Sequence, residues 1–91
     1  MNPGIDDTTM NMISTPDAMK MLAEAFDESI ANLKPDTARD AVPGWDSMGA
    51  LTLMAELDER FGIELSADES KSMTRIEDVL ALLRRHGALA A

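Results

Sequence analysis

Apolar residues recur at intervals of three and four in three stretches of the chain, the spacing that places them on one face of an α-helix. The first stretch follows Thr15-Pro16-Asp17. A hydroxyl cap, a proline at the first helical position and an acid in the first turn predict a helix start there. Its apolar stripe consists of Met19, Leu22, Ala23, Phe26 and Ile30. We predict that Pro35 ends this helix.

The second stretch predicts a helix from Ser47 to Phe61. Asp46 can cap its start, and Gly62 can end it because glycine readily adopts the left-handed conformation of a helix terminus. The positions predicted to face inward are Met48, Leu51, Met54, Leu57 and Phe61.

A long connection, residues 34–46, joins these two helices and contains the helix breakers Pro35, Pro43 and Gly44. A connection of this length in so small a protein is usually functional or wraps the core. We expect its apolar residues Val42 and Trp45 to anchor it, with Trp45 acting mainly as a packing residue.

Two later segments match the capping-box pattern, in which serine or threonine is followed three residues later by glutamate. The first, residues 66–69, predicts only a short helix because the residues after it are polar. The second, residues 74–77, opens an amphipathic helix with Ile76, Val79, Leu80 and Leu83 facing inward. Its last turn carries Arg84, Arg85 and His86, and cations are favoured at that end of a helix. The pattern predicts an all-α protein of four helices with a short third one.

Composition agrees with one small helical domain. The 91 residues are 45% hydrophobic and only 3% aromatic, with eight methionines. Cysteine is absent, which excludes disulfides, thiolate zinc sites and a cysteine nucleophile. No apolar run approaches the roughly 20 residues of a membrane span, and the first residues lack the pattern of a signal peptide. We therefore expect a cytoplasmic protein with no membrane span.

The net charge of −9 bears on the kind of partner. Nucleic acid would be repelled by a field of this sign, whereas a partner with basic patches would be attracted. The alternative is that the charge serves solubility alone.

The residues Gly44-Trp45-Asp46-Ser47-Met48 resemble the attachment motif of the acyl carrier protein family, whose core is Asp-Ser-Leu at the start of the second helix. The likeness continues at the family's spacing through residues 59–65, a short acidic turn and residues 73–74 before the last helix. It covers roughly residues 15–85. It implies a four-helix bundle of acyl-carrier type over residues 15–86, between a flexible N-terminal tail, 1–14, and a C-terminal tail, 87–91.

The resemblance implies that Ser47 carries a covalent 4′-phosphopantetheine arm, which would make the chain a phosphoprotein. The arm's thiol would hold an acyl or aminoacyl group as a thioester, so the absence of cysteine is no obstacle. The start of a helix suits a phosphate because its backbone N–H groups are free and its end is positive. Asp46 would cap the helix and also help the modifying transferase to place its metal ion. A tryptophan beside this motif, as at Trp45 here, is found in freestanding carriers of specialised pathways.

The resemblance also implies a docking surface around the second helix. Carriers of fatty-acid synthesis have acids early on this helix, but Gly49, Ala50 and Thr52 occupy those positions here. The predicted docking residues are therefore Met48, Glu56, Glu59, Asp68 and Glu69. Some carriers shelter the acyl chain between helices, and the residues predicted for such a pocket are Leu51, Met54, Leu57, Phe61, Ile63, Met73 and Leu80. The same residues are first of all expected in the core.

We therefore predict a monomeric carrier without catalytic activity that shuttles intermediates of fatty acid or polyketide biosynthesis, or of a more specialised pathway. Its partners would be a phosphopantetheinyl transferase, an acyl- or aminoacyl-loading ligase or acyltransferase, and a downstream synthase or transferase. The alternative is an unmodified helical interaction module with a carrier-like fold. An enzyme is disfavoured because the single histidine, His86, lies at a helix end without a partner residue.

Overall fold

The computed structural model describes residues 12–90, and over this range the protein is all-α. The described residues form no strand and four α-helices: α1 (Thr15–Ala25), α2 (Ser47–Phe61), α3 (Ala67–Ser72) and α4 (Ile76–Arg85). The predicted all-α class and the short third helix are confirmed. Two 3₁₀ turns, Ile30–Asn32 and Arg39–Ala41, lie between α1 and α2. None of the described helices combines the length and apolar character needed to cross a membrane.

α1 differs from its prediction at both ends. Its cap is Ser14, one residue earlier than predicted, whose hydroxyl accepts from the Asp17 N–H at 3.2 Å. The helix ends at Ala25, well before Pro35, because Asp27 takes a left-handed φ of 52° and turns the chain away. Ile30 therefore leaves the predicted stripe and is exposed in a 3₁₀ turn.

α2 has the predicted bounds. The Asp46 side chain accepts from the Gly49 N–H at 2.9 Å, and Gly62 ends the helix at a φ of 66°. Its buried face matches the predicted one only in part: Leu57 is buried, but Met48 and Leu51 are 72% and 60% exposed.

The buried residues of α2 are Gly49, Ala50, Leu53 and Leu57, with Met54 and Phe61 at the edge of this face. Ala50, Leu53 and Leu57 satisfy the helical spacing as well as the predicted stripe does. Gly49 decides between the two faces because it lies against Gly44 and the Phe26 ring, which turns Met48 and Leu51 outward.

The core lies between α1, α2 and α4. Its largest fully buried side chains are Phe26, Leu22, Leu53, Leu57, Ile76, Leu82, Leu83 and Val79. Ile63, Met73 and Leu80 are also buried, as predicted for core residues. The inward face predicted for α4 is therefore confirmed, and Leu82 extends it.

The start of α3 has the predicted capping box. The Ser66 hydroxyl accepts from the Glu69 N–H, and the Glu69 carboxylate accepts from the Ser66 N–H, each at 3.1 Å. This contact also lowers the pKa of Glu69, since the Ser66 backbone N–H donates to its charged form.

The capping box predicted for residues 74–77 is wrong. Asp78, not Glu77, accepts from the backbone N–H groups of Thr74 and Arg75, at 2.8 and 3.0 Å. The first amides of α4 are taken by the connection instead: the Ile76 N–H donates to the Thr37 carbonyl at 3.0 Å, and the Glu77 N–H to that of Pro35 at 2.7 Å. The connection thus caps α4 as well as leading to α2.

The two ends of the described chain pair with each other. The Ile13 N–H donates to the Ala88 carbonyl, and the Ala90 N–H donates to the Ile13 carbonyl, both at 2.8 Å. Ala88 and Leu89 are buried. The packed body therefore extends beyond the predicted domain limits, residues 15 and 86, because Ile13, Ala88 and Ala90 form this pairing and lie outside those limits. Residues 1–11 of the predicted N-terminal tail, and residue 91, lie outside the described residues.

Asp78→Ala is expected to lower the free energy of unfolding by about 1–2 kcal/mol near neutral pH, since it removes the acceptor for two backbone donors. The Thr74 N–H, which donates to the Asp78 carboxylate, lowers the pKa of this group from its ordinary value. A lowered pKa stabilises the fold above the unfolded value and does so progressively less as pH falls through the folded one. Urea unfolding from about pH 7 to about pH 2 should show the difference shrinking below about pH 4. A constant difference would contradict this role.

Candidate functional site

Ser47 is the first residue of α2, and its side chain is exposed. The Gly49 N–H is taken by Asp46, but the N–H groups of Ser47 and Met48 have no acceptor in residues 12–90. These free donors and the aligned peptide dipoles make this helix end electropositive. An exposed hydroxyl therefore stands where a phosphate would be stabilised.

Trp45 anchors the connection that leads to Ser47. Its indole is buried and stacks on the Phe26 ring, with 4.8 Å between centroids and 15° between planes. Val42 is buried as well, so both predicted anchors are confirmed. The Trp45 Nε1–H is buried without an acceptor among the described residues.

Two glycines allow the connection to approach both helices. A Cβ on Gly44 would overlap the Phe26 carbonyl at the end of α1, and a Cβ on Gly49 would overlap the Gly44 carbonyl. The connection is thus held between the end of α1 and the start of α2. This close approach explains why residue 49, in the first turn of α2, is glycine, although glycine weakens a helix relative to alanine.

Arg39 joins this connection to α3, a role that sequence reasoning missed. Its guanidinium lies 5.0 Å from the centroid of the Trp45 ring, and its Nε donates to the Trp45 carbonyl at 3.4 Å. Its Nη1 donates to the carbonyls of Ser70 and Met73 at 2.9 and 3.3 Å. These partners lie more than thirty residues away in sequence, so no local motif signals the contact.

A cavity of about 220 Å³ opens beside Ser47 between α2 and α3. Its lining is mostly apolar on the α2 side and consists of Arg39, Ser47, Ala50, Leu51, Met54, Ala67, Ser70 and Lys71. Of the residues predicted for an acyl pocket, only Leu51 and Met54 line it. Leu57, Ile63, Met73 and Leu80 are buried in the core, and Phe61 lies at the other end of α2 beside a different cavity.

The exposed face of α2 around Ser47 is apolar near the serine and acidic further on. Met48 and Leu51 are exposed next to Ser47, and Glu59 is exposed near the end of the helix. Glu56 is half-buried and pairs with Arg60 at 2.8 Å. Both sites predicted on α3, Asp68 and Glu69, are exposed, but Glu69 also serves in the cap.

No protein-family model and no curated protein sequence matches this chain. The geometry supplies an accessible hydroxyl at a positive helix end, a tightly held loop in front of it and a mostly apolar cavity at its side.

Proposed function

We propose that this protein is an acyl carrier protein with a four-helix bundle of acyl-carrier type, and that Ser47 carries a 4′-phosphopantetheine arm. The observation that carries the proposal is the exposed hydroxyl at the first position of α2, directly after a capping aspartate and a buried tryptophan. A serine with only a structural role would need neither an exposed side chain nor the closely packed connection that precedes it.

In the proposed modification, Ser47 Oγ attacks the β-phosphorus of coenzyme A. The P–O bond to the nucleotide breaks, 3′,5′-ADP leaves, and a base of the transferase takes the hydroxyl proton. The new phosphodiester lies beside the free N–H groups of Ser47 and Met48, which stabilise its negative charge. The arm's thiol then holds the acyl or aminoacyl group as a thioester.

Asp46 supports both parts of this role. Its Oδ1 accepts from the Gly49 N–H and caps α2. The residue is exposed, so its second oxygen remains open to the metal ion of a docked phosphopantetheinyl transferase. The remaining partners are a loading ligase or acyltransferase and a downstream synthase or transferase, and the proposed setting is the cytoplasm.

The intact mass of the protein isolated from its own cells tests the proposal. We expect the mass of the chain plus one phosphopantetheinyl group, mapped by peptide fragmentation to Ser47, with any remaining mass identifying the cargo. Protein that is entirely unmodified in growing cells would contradict a carrier function.

An unmodified interaction module is the second candidate, because one observation supports a docking face independently of any group on Ser47. Met48 and Leu51 form an exposed apolar pair on α2, a feature that suits a docking face with or without a modified serine. The two candidates differ in the mass test, since the module needs no group on Ser47.

The acids on α2 are expected to contribute unequally to docking of the loading enzyme. Glu59→Lys should lower the association rate by roughly threefold or more at low salt, with the effect shrinking at high salt, because the residue is exposed and unpaired in residues 12–90. Glu56→Lys should have less effect on docking, because Arg60 already offsets the Glu56 charge. Stopped-flow association with the loading ligase or acyltransferase measures both.

Glu24→Lys, the same charge change at an exposed residue of α1, is the matched control and should leave docking unchanged. Circular dichroism checks that each variant keeps its fold. Equal slowing by Glu24→Lys and Glu59→Lys would show that net charge, and not the α2 surface, governs association.

A further inference from the structure

α3 has little hydrophobic attachment of its own. Of its six residues, only Ser70 is buried, and the other five are exposed. The buried apolar residues nearest to it, Leu65 and Met73, lie outside the helix on either side. A six-residue helix is not stable on its own, so other contacts have to hold α3 in place.

Arg39 supplies those contacts. Its Nη1 donates to the Ser70 and Met73 carbonyls at 2.9 and 3.3 Å, at the negative end of α3. Hydrogen bonds from a charged donor are stronger than neutral ones. The Arg39 backbone N–H also donates to the Thr74 carbonyl at 2.7 Å, so both the backbone and the side chain of Arg39 join the connection to the end of α3.

The same residues form one side of the cavity beside Ser47. Arg39, Ser70 and Lys71 face the α2 residues Ala50, Leu51 and Met54 across it. A movement of α3 away from α2 would widen the cavity. Such a movement would break the two Nη1 bonds but would withdraw no apolar side chain of α3 itself from the core, because α3 contributes none.

We propose that Arg39 is a positioning residue that holds α3 against the connection before Ser47 and thereby sets whether the cavity beside Ser47 admits an apolar acyl chain. The first part, the attachment of α3, concerns the unmodified protein alone. The second part rests on the proposed carrier function. The guanidinium also covers the Trp45 ring, at 5.0 Å from its centroid, so loss of the attachment should be visible in the fluorescence of the single tryptophan.

Amide hydrogen exchange of the unmodified protein tests the first part. Arg39→Gln should speed exchange of the α3 amides on the order of tenfold, leave α2 and α4 unchanged and shift the Trp45 emission. Arg75→Gln is the matched control, since its side chain is exposed and pairs only with Glu77 among the described residues. Should Arg39→Gln fail to fold, Arg39→Lys keeps the charge without the forked donors and should show a smaller increase. Unchanged α3 exchange, or unprotected α3 amides in the wild type, would overturn the proposal.

An acylated series tests the second part. Octanoyl and acetyl groups are placed on Ser47 from the corresponding acyl-coenzyme A by a phosphopantetheinyl transferase. The octanoyl chain should speed α3 exchange in the wild type but add little in Arg39→Gln, where the attachment is already lost, and acetyl should do neither. Fully additive effects would overturn this part. If Ser47 takes no arm at all, the carrier function fails, while the exchange of the unmodified protein still decides the role of Arg39.

Discussion

Ser47→Ala is expected to abolish phosphopantetheine attachment, whereas the wild-type protein should gain one group from coenzyme A, magnesium and a broad-specificity phosphopantetheinyl transferase. The reason is chemical: the substitution removes the only hydroxyl at the start of α2, and alanine offers no nucleophile. Intact-mass spectrometry measures the gain directly. The fold should be retained, because Ser47 is exposed and its neighbour Asp46 provides the cap.

Ser29→Ala is the matched control for this experiment. Ser29 is an exposed serine that precedes a helical turn and makes no side-chain cap bond, so its loss should leave both fold and labelling unchanged. Labelling that persists in Ser47→Ala would place the arm elsewhere. A folded wild type that several transferases leave unlabelled would remove the basis for the carrier proposal.

The features predicted correctly from sequence are those that neighbouring residues decide. The bounds of α2 follow from a capping side chain at Asp46 and a left-handed glycine at Gly62, both of which act within one helical turn. The cap of α3 follows in the same way from Ser66 and Glu69. Ser47 could be identified as a candidate site from the sequence because of these local signals and because of the motif that resembles the carrier family.

The errors have non-local causes. The buried face of α2 is decided by contact with Gly44 and Phe26, and two stripes of equal spacing cannot be told apart without knowing that contact. The start of α4 depends on carbonyls of the connection, those of Pro35 and Thr37, which lie some forty residues earlier in sequence. The role of Arg39 is hidden for the same reason, since its acceptors are backbone carbonyls that carry no residue signature.

The exposure of Met48 and Leu51 changes the interpretation of the site. As core residues they would have stabilised α2, but as exposed residues beside Ser47 they form an apolar surface that a partner enzyme can bury. The acids lie farther along the helix, where they can orient an approaching partner. The proposed docking surface is thus apolar at the serine and charged at its rim.

Gly49→Ala is expected to destabilise the protein by about 2 kcal/mol or more, against the direction that helix propensity predicts. Propensity alone would favour alanine by up to about 1 kcal/mol in a helix. The added Cβ would, however, overlap the Gly44 carbonyl and press on the Phe26 ring. Both obstacles are rigid, because one is backbone and the other is a fully buried aromatic ring, so the connection has to move away from α2.

Chemical unfolding in urea measures this loss, and Thr52→Ala serves as the matched control. Thr52 lies on the exposed side of the same helix, where alanine should be neutral or slightly stabilising. The emission of Trp45 should also shift in Gly49→Ala, because the displaced connection carries the indole that stacks on Phe26. If Gly49→Ala instead stabilised the protein as propensity predicts, the close approach of Gly44 to α2 would be wrong, and with it the reason why Met48 and Leu51 face outward beside Ser47.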